Sequence, residues 1–287
     1  MDLCNINDIK ALLGRHGFHF SKSMGQNFLI ESWVPAQIAE ASGADTGIGV
    51  MEIGPGIGPL TSQLAKRADK VAAVELDKSL FPILAETLAT YPNVTIVPGD
   101  AMKLDLAAFV EEHFSGLTPI VCANLPYNIT TPVLTHLIDS KQFSAITVMI
   151  QREVALRICA APGTADYGAF SIYCQYYTDP ELLFDVPPEC FIPAPKVTSA
   201  VIRMVPRSAP PVDVCDETMF FRLVKAAFAQ RRKTLLNALS SSFGNQFSKD
   251  DLRELLETCG LPADVRGERL GIPEFAALTA AIKNRIN

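Results

Sequence analysis

The chain has 287 residues, 48% of them apolar and 20% charged, and a net charge of −6 at neutral pH. A chain of this size and composition builds a core without disulfides or metal, which excludes a disordered or fibrous protein. No apolar run approaches the ~18 residues of a membrane span, and Met1–Asn5 lacks the basic start and apolar stretch of an export signal, so a cytoplasmic protein with no membrane partner is expected.

Along the first 150 residues, short β-rich runs alternate with helical patterns. Residues 49–54, 70–77, 94–100, 119–126 and 145–151 are apolar, β-branched and bounded by Gly, Pro, Asn or Asp, as strands are. Residues 60–67, 79–90, 104–113 and 132–140 carry helical spacing. This alternation predicts an α/β fold: a Rossmann-like, doubly wound, mostly parallel sheet whose ligands bind beyond the carboxyl ends of the strands. Residues 171–177 and 199–205 read as two more strands extending the sheet. The proline cluster of residues 205–211 reads as a linker, and 218–239, 249–259 and 273–283 as helices of a small all-helical domain. The expected boundaries are therefore 1–206 and 207–287. Residues 1–199 hold 12 basic and 21 acidic side chains, whereas residues 200–287 hold 13 and 10. A local basic surface on the tail is compatible with a polyanion partner despite the acidic total.

Seven cysteines stand at least 15 residues apart, without a Cys-x-x-Cys pair, and four histidines form no ligand pattern. The cysteines read as reduced packing residues, and no metal is expected.

The segment Met51–Gly58 leaves the first strand of the alternating series and enters a helix, with glycines at 54, 56 and 58. Glycines there let the backbone turn sharply and approach a ligand. Glu75, 21 residues after Gly54, ends the next strand and is placed to accept ribose hydroxyl hydrogen bonds; Asp100 ends the third, where it can accept from an adenine amino group. Pro59 and Leu60 stand where a P-loop needs Lys-Ser/Thr, and the third glycine falls one residue early for a nicotinamide site. S-adenosylmethionine has no pyrophosphate and asks only for the turn and the acid. The glycines alone decide between none of these, nor against a turn that serves folding only.

Asn124-Leu125-Pro126-Tyr127 follows the fourth strand of the series. The exocyclic nitrogen of adenine is a poor nucleophile because its lone pair is delocalised into the ring. Two acceptors aimed at its N–H groups, the Asn124 side-chain oxygen and the Leu125 carbonyl, draw it toward tetrahedral geometry. Pro126 stiffens the loop and Tyr127 offers a stacking face for an extruded base. Alone, these four residues also suit an ordinary strand-ending turn; combined with the glycine loop, Glu75 and Asp100, they point to methyl transfer onto adenine.

Further motifs make the chain resemble the KsgA (RsmA) family of ribosomal RNA small-subunit adenine N6,N6-dimethyltransferases. Besides Glu-Ile-Gly-Pro-Gly and Asn-Leu-Pro-Tyr, they are Lys22–Leu29, Gln151–Ala155, Phe191–Val197 and Phe228–Leu235, in family order. The resemblance implies class I S-adenosylmethionine-dependent dimethylation of two adjacent adenosines in a 3′-terminal hairpin loop, on a pre-ribosomal particle, by a monomer. It puts Gln26, Asn27, Leu29, Gly54, Gly56, Glu75, Asp100 and Asn124 around the cofactor. Tyr127 and Phe191 would wall the target-base pocket, while Lys196, Arg231, Arg232 and Lys233 would meet RNA. Thr198 stands where the family usually has Asp, and Leu236 where it often has Arg. The alternatives are a large-subunit adenine N6-methyltransferase of the antibiotic-resistance type and a ribosome-assembly or transcription binding factor on the same fold. The helical tail, with Phe220, Phe221, Val224 and Phe228 on one face, is expected to pack against the first domain.

Overall fold

A computed structural model describes residues 1–18 and 27–286. Helix α1 (Ile6–Arg15), the short strand β1 (Phe28–Leu29) and α2 (Trp33–Ala41) precede a strictly alternating series. That series is β2 (Ile48–Ile53), α3 (Pro59–Ala65), β3 (Lys70–Glu75), α4 (Phe81–Thr87), β4 (Val94–Pro98), α5 (Leu106–Phe114), β5 (Thr118–Asn124), α6 (Thr130–Ser140) and β6 (Ile146–Gln151). Helices α7 (Arg152–Cys159) and α8 (Ala169–Tyr177) lead to β7 (Thr178–Val186), β8 (Phe191–Ile192) and β9 (Ser199–Pro206). Four helices end the chain: α9 (Glu217–Ala229), α10 (Leu235–Phe243), α11 (Lys249–Thr258) and α12 (Ile272–Ile286).

The main sheet has the order β4-β3-β2-β5-β6-β9-β7. Strands β4 through β6 run parallel, and β9 pairs antiparallel with β6. The chain enters at β2, winds outward through β3 and β4, then returns to β5 on the other side of β2. The order reverses between β2 and β5, so the crevice beyond their carboxyl ends is the expected ligand position. Strands β2, β3 and β6 are buried almost throughout, as parallel strands covered on both faces are. Val34 and Ile38 of α2 and Leu60 and Leu64 of α3 share one core with Val50, Val71, Ile120 and Met149 of the sheet.

Gly49 is a packing glycine: a Cβ there would lie 2.4 Å from Cδ1 of Phe114, a ring only 1% exposed at the end of α5. Gly49→Ala must displace that ring or the strand. It should cost about 1–3 kcal/mol, as overpacking does, and a lowered midpoint in thermal unfolding checks it.

By contacts the chain divides into two compact units, Met1–Ala155 with Pro180–Pro206, and Leu156–Asp179 with Arg207–Asn287. The second unit thus takes in residues 156–179 as well as the tail. Arg207 ties these stretches together, donating from Nε to the carbonyls of Gln175 and Thr178 and from Nη2 to Asp179. Residues 171–177, expected as a strand, are helical. Ile172 with Tyr176 and Tyr173 with Tyr177 stand at i,i+4, and the buried Ser171 hydroxyl accepts from the Gly168 N–H at the helix start. The strand begins only at Thr178. The face of α9 carrying Phe220, Phe221, Val224 and Phe228 packs into the second unit's core with Leu239 and Phe275 and with Tyr176, a residue within the range 1–206 expected to form the first domain.

The expected helix over 218–239 is broken. Helix α9 ends at Ala229 and α10 starts after Thr234, whose side chain accepts from the Asn237 N–H. Arg231, Arg232 and Lys233 therefore stand in an interhelical turn and not on a helix.

All seven cysteines are free. Among the described residues no helix is long and apolar enough to cross a membrane, and no cluster of three His, Cys, Asp or Glu side chains is placed to hold a metal ion.

Candidate active site

One cavity of about 340 Å³ opens beyond the carboxyl ends of β2, β3 and β5. Its size suits a small-molecule site. Asn27, Leu29, Gly54, Gly56, Glu75, Asp100, Asn124, Leu125, Pro126, Tyr127 and Phe191 all line it. Gln26 lies outside the described residues.

The turn after β2 carries positive φ at Gly54, Gly56 and Gly58 (70°, 61° and 93°). It is pinned by the Gly54 N–H donating to the Val74 carbonyl and the Gly58 N–H to that of Pro55. A Cβ on Gly56 would stand 3.3 Å from the Phe28 ring, so this position requires glycine for its backbone and for its neighbour.

Glu75 ends β3 with 6% of its surface exposed. Burial pushes its carboxyl above the ordinary carboxylate range, while backbone N–H groups, led by that of Asp77 at 2.7 Å, pull the other way. Asp100 caps the turn after β4 by accepting from the Met102 N–H at 3.0 Å, and its second oxygen lies 3.7 Å from Lys103 Nζ. Each carboxylate keeps lone pairs for an incoming donor.

Asn124 closes β5 opposite Met149 of β6 and is half-buried. The Leu125 N–H donates to the Met149 carbonyl at 3.1 Å, which holds the backbone just past the strand. The Tyr127 hydroxyl and Ser199 Oγ of β9 are 2.6 Å apart, anchoring the far end of the ring at the cavity edge. Burial raises the Tyr127 pKa and the Ser199 contact lowers it. Phe191 is only 3% exposed and belongs to the core around Leu29 as well as to the cavity wall. Its position follows from the register of β8 on β1, which sets Phe191 against Leu29.

Lys196 is exposed and does not line the cavity. In the second unit, Arg231 pairs with Glu268 and donates to the Ala165 carbonyl, while Arg232 and Lys233 project into solvent.

Leu76 and Met102 also line the cavity from outside the motifs quoted above, and Phe28, Ile57 and above all Glu52 do so from within them without having been given a role. The signal for Glu52 was present: a charge inside an otherwise apolar strand, where long acidic side chains rarely sit unpaired. Glu52 is 1% exposed, and its Oε2 has no hydrogen-bond partner among the described residues. Burial pushes its carboxyl up to about 8, Thr61 beside it lowers that value in part, and the nearby Glu75 raises it further.

The sequence profile for ribosomal RNA adenine dimethylase matches residues 17–258. A Geobacillus thermodenitrificans protein, ribosomal RNA small subunit methyltransferase A, is 46% identical over 284 residues, covering 98% of this chain and 97% of its own. Its Streptococcus agalactiae namesake is 49% identical and covers 96% of each chain. A dimethyladenosine transferase structure from Plasmodium falciparum shares the fold with a TM-score of 0.74 at 24% identity, covering 90% of this chain and 98% of its own. The chain belongs to the ribosomal RNA adenine dimethylase family.

Proposed function

We propose that this member of the ribosomal RNA adenine dimethylase family uses S-adenosylmethionine to dimethylate the exocyclic N6 of two adjacent adenosines in a 3′-terminal hairpin loop of small-subunit ribosomal RNA. The observation that carries this reading is the convergence of Asn124–Tyr127, Glu75, Asp100 and the Gly54–Gly58 turn on one cavity. The small-subunit assignment rests on near full-length relatives that carry that name.

The cavity fits the cofactor: it holds acidic acceptors at successive strand ends and an orphaned buried carboxyl oxygen on Glu52. When bound, S-adenosylmethionine supplies a methyl group already made electrophilic by its sulfonium, so no strong general base is needed. Glu75 accepts from the ribose hydroxyls, and Asp100 accepts from the cofactor's adenine amino group. Asn27, Leu29, Gly54 and Gly56 shape the remaining wall. The Asn124 side-chain oxygen and the Leu125 carbonyl accept from the target N6 hydrogens and turn the nitrogen lone pair out of conjugation. Tyr127 and Phe191 provide aromatic surface for the extruded base. The backbone of Leu125 is held by Met149 and the ring of Tyr127 by Ser199, so the acceptors and the stacking face are preorganised.

The second unit contributes RNA contacts through Arg231, Arg232 and Lys233, with Lys196 of the first unit as a further phosphate contact. The protein acts as a monomer on a pre-ribosomal particle in the cytoplasm. Because Arg231 is already engaged by Glu268 and the Ala165 carbonyl, Arg232 and Lys233 should dominate. Replacing both with Gln should flatten the salt dependence of particle binding by roughly one unit for each phosphate that the variant leaves unneutralised. A salt series of binding measurements checks this, with cofactor affinity unchanged.

The test of the function is incubation with labelled S-adenosylmethionine and separated ribosomal particles, followed by mapping of the modified nucleotides. Label on two adjacent adenosines of small-subunit RNA is expected. Label confined to large-subunit RNA would overturn the substrate.

A further inference from the structure

Gln151 opens the Gln151–Ala155 motif at the carboxyl end of β6, and it does not line the cofactor cavity. In the sheet, β2, β3 and β4, which lead into the glycine turn, Glu75 and Asp100, lie on one side of β5; β6 and β9 lie on the other. Asn124 of β5 is in register with Met149 of β6, and Gln151 with Ser199 of β9. Residues i and i+2 of a strand share a face, as do register partners. Asn124, Gln151 and Ser199 therefore stand on one face of the sheet, at the edge where β5 and β6 end. Ser199 Oγ meets the Tyr127 hydroxyl at 2.6 Å. Opposite Cβ atoms of paired strands lie about 4.5–5.5 Å apart, so the Gln151 side chain starts beside the outer end of the Tyr127 ring. It is half-buried, and its amide makes no hydrogen bond among the described residues. Its backbone is nonetheless fixed. The next N–H, that of Arg152, donates to the Thr198 carbonyl at 3.0 Å, and Arg152 Nε donates to Asp185 at 2.8 Å.

We propose that Gln151 is a specificity-determining residue that reads the adenosine next to the one being methylated. A base drawn into the site brings its chain neighbours to the mouth, and Gln151 is a free amide on a fixed backbone beside the stacking face. Its Oε1 accepts from the neighbour's N6–H while its Nε2 donates to a ring nitrogen, the paired contact by which Gln recognises adenine. This rests on the reading of the cavity as the site that methylates two adjacent adenosines, and it deepens that reading. A contact on one side of the target has a consequence for their order. Each adenosine has the other as neighbour in the opposite direction along the RNA, so Gln151 serves only one of the two. It also needs the neighbour unmodified, because a dimethylated N6 has no hydrogen to donate. The adenosine that depends on Gln151 is therefore methylated fastest while its neighbour is still unmodified.

The experiment is single-turnover methylation of small-subunit particles, mapped at each adenosine. Two further substrates carry a purine nucleotide, which lacks the N6 group, in place of one adenosine or the other. For the wild type, purine at one of the two positions should slow the remaining adenosine about 5- to 150-fold, the range for a mismatched bidentate base contact. Purine at the other position should leave its remaining adenosine at the natural rate. Gln151→Ala should slow that same adenosine of natural particles by a similar factor, spare the other, and add nothing to the purine substitution. A merely structural role would slow both adenosines alike. Equal slowing of both, effects of purine and Gln151→Ala that multiply, or a wild type indifferent to purine at both positions would overturn this inference alone. The last comparison needs no variant and decides even where Gln151→Ala fails to fold. A wild type that leaves natural small-subunit particles unmethylated would overturn the proposed function, and the inference with it.

Discussion

Asn124→Ala should lower methyl transfer to ribosomal RNA about 100- to 1000-fold, the usual effect of deleting one preorganised acceptor or donor that acts on developing charge. The side chain is half-buried at the end of β5, and the strand's pairing with β6 through Met149 does not depend on it. Folding should therefore survive far better than turnover. The loss should appear in the single-turnover rate on saturating RNA, because Asn124 acts on the N6 lone pair as it reorganises and contributes less to the resting complex. The Leu125 carbonyl remains, held by the Met149 contact, and accounts for a remnant rate above background. A variant turning over at near wild-type speed would remove Asn124 from the chemistry and leave the Asn-Leu-Pro-Tyr loop as a strand-ending turn.

The parallel series was legible because each of its strands is short, apolar and punctuated, and its ends fell within a few residues of expectation. Strand ends were harder to place, since residues such as Asp77 and Asp100 cap the turns that follow. Residues 171–177 misled because a run of aromatic and small residues satisfies both periods, and only packing into the second core selects the helical one. The break after Ala229 had one local signal, Thr234 as a capping residue, hidden among cations that are all good helix formers. Helix α1 was legible in principle. Asn5 caps it, and Ile9, Leu12 and Leu13 mark its buried face. Glu75, Asp100 and Asn124 of the cavity wall were legible because each stands at or just past a strand end. Glu52 was given no role, although a charge inside an apolar strand marked it; that its Oε2 is buried without a hydrogen-bond partner among the described residues shows only in the structure.

Glu75→Ala should weaken S-adenosylmethionine binding by about 1.5–3 kcal/mol, the net worth of hydrogen bonds to a buried charged acceptor. Part of the carboxylate's capacity is already spent on the Asp77 N–H, which fixes the side chain before the cofactor arrives. The remaining lone pairs are aimed by that bond, and alanine removes both the acceptor and the tether of the turn after β3. The pH dependence has a definite sign. The folded pKa lies above the ordinary 4.5, so the ionised acceptor is lost as pH falls through that raised value, earlier than for a solvated glutamate. Affinity should decline there in the wild type and stay flat in Glu75→Ala. Adenosine and 5′-methylthioadenosine carry the ribose and lack the amino-acid end, so they should lose as much affinity as the whole cofactor in this variant. Unchanged adenosine affinity in Glu75→Ala would displace the ribose from β3.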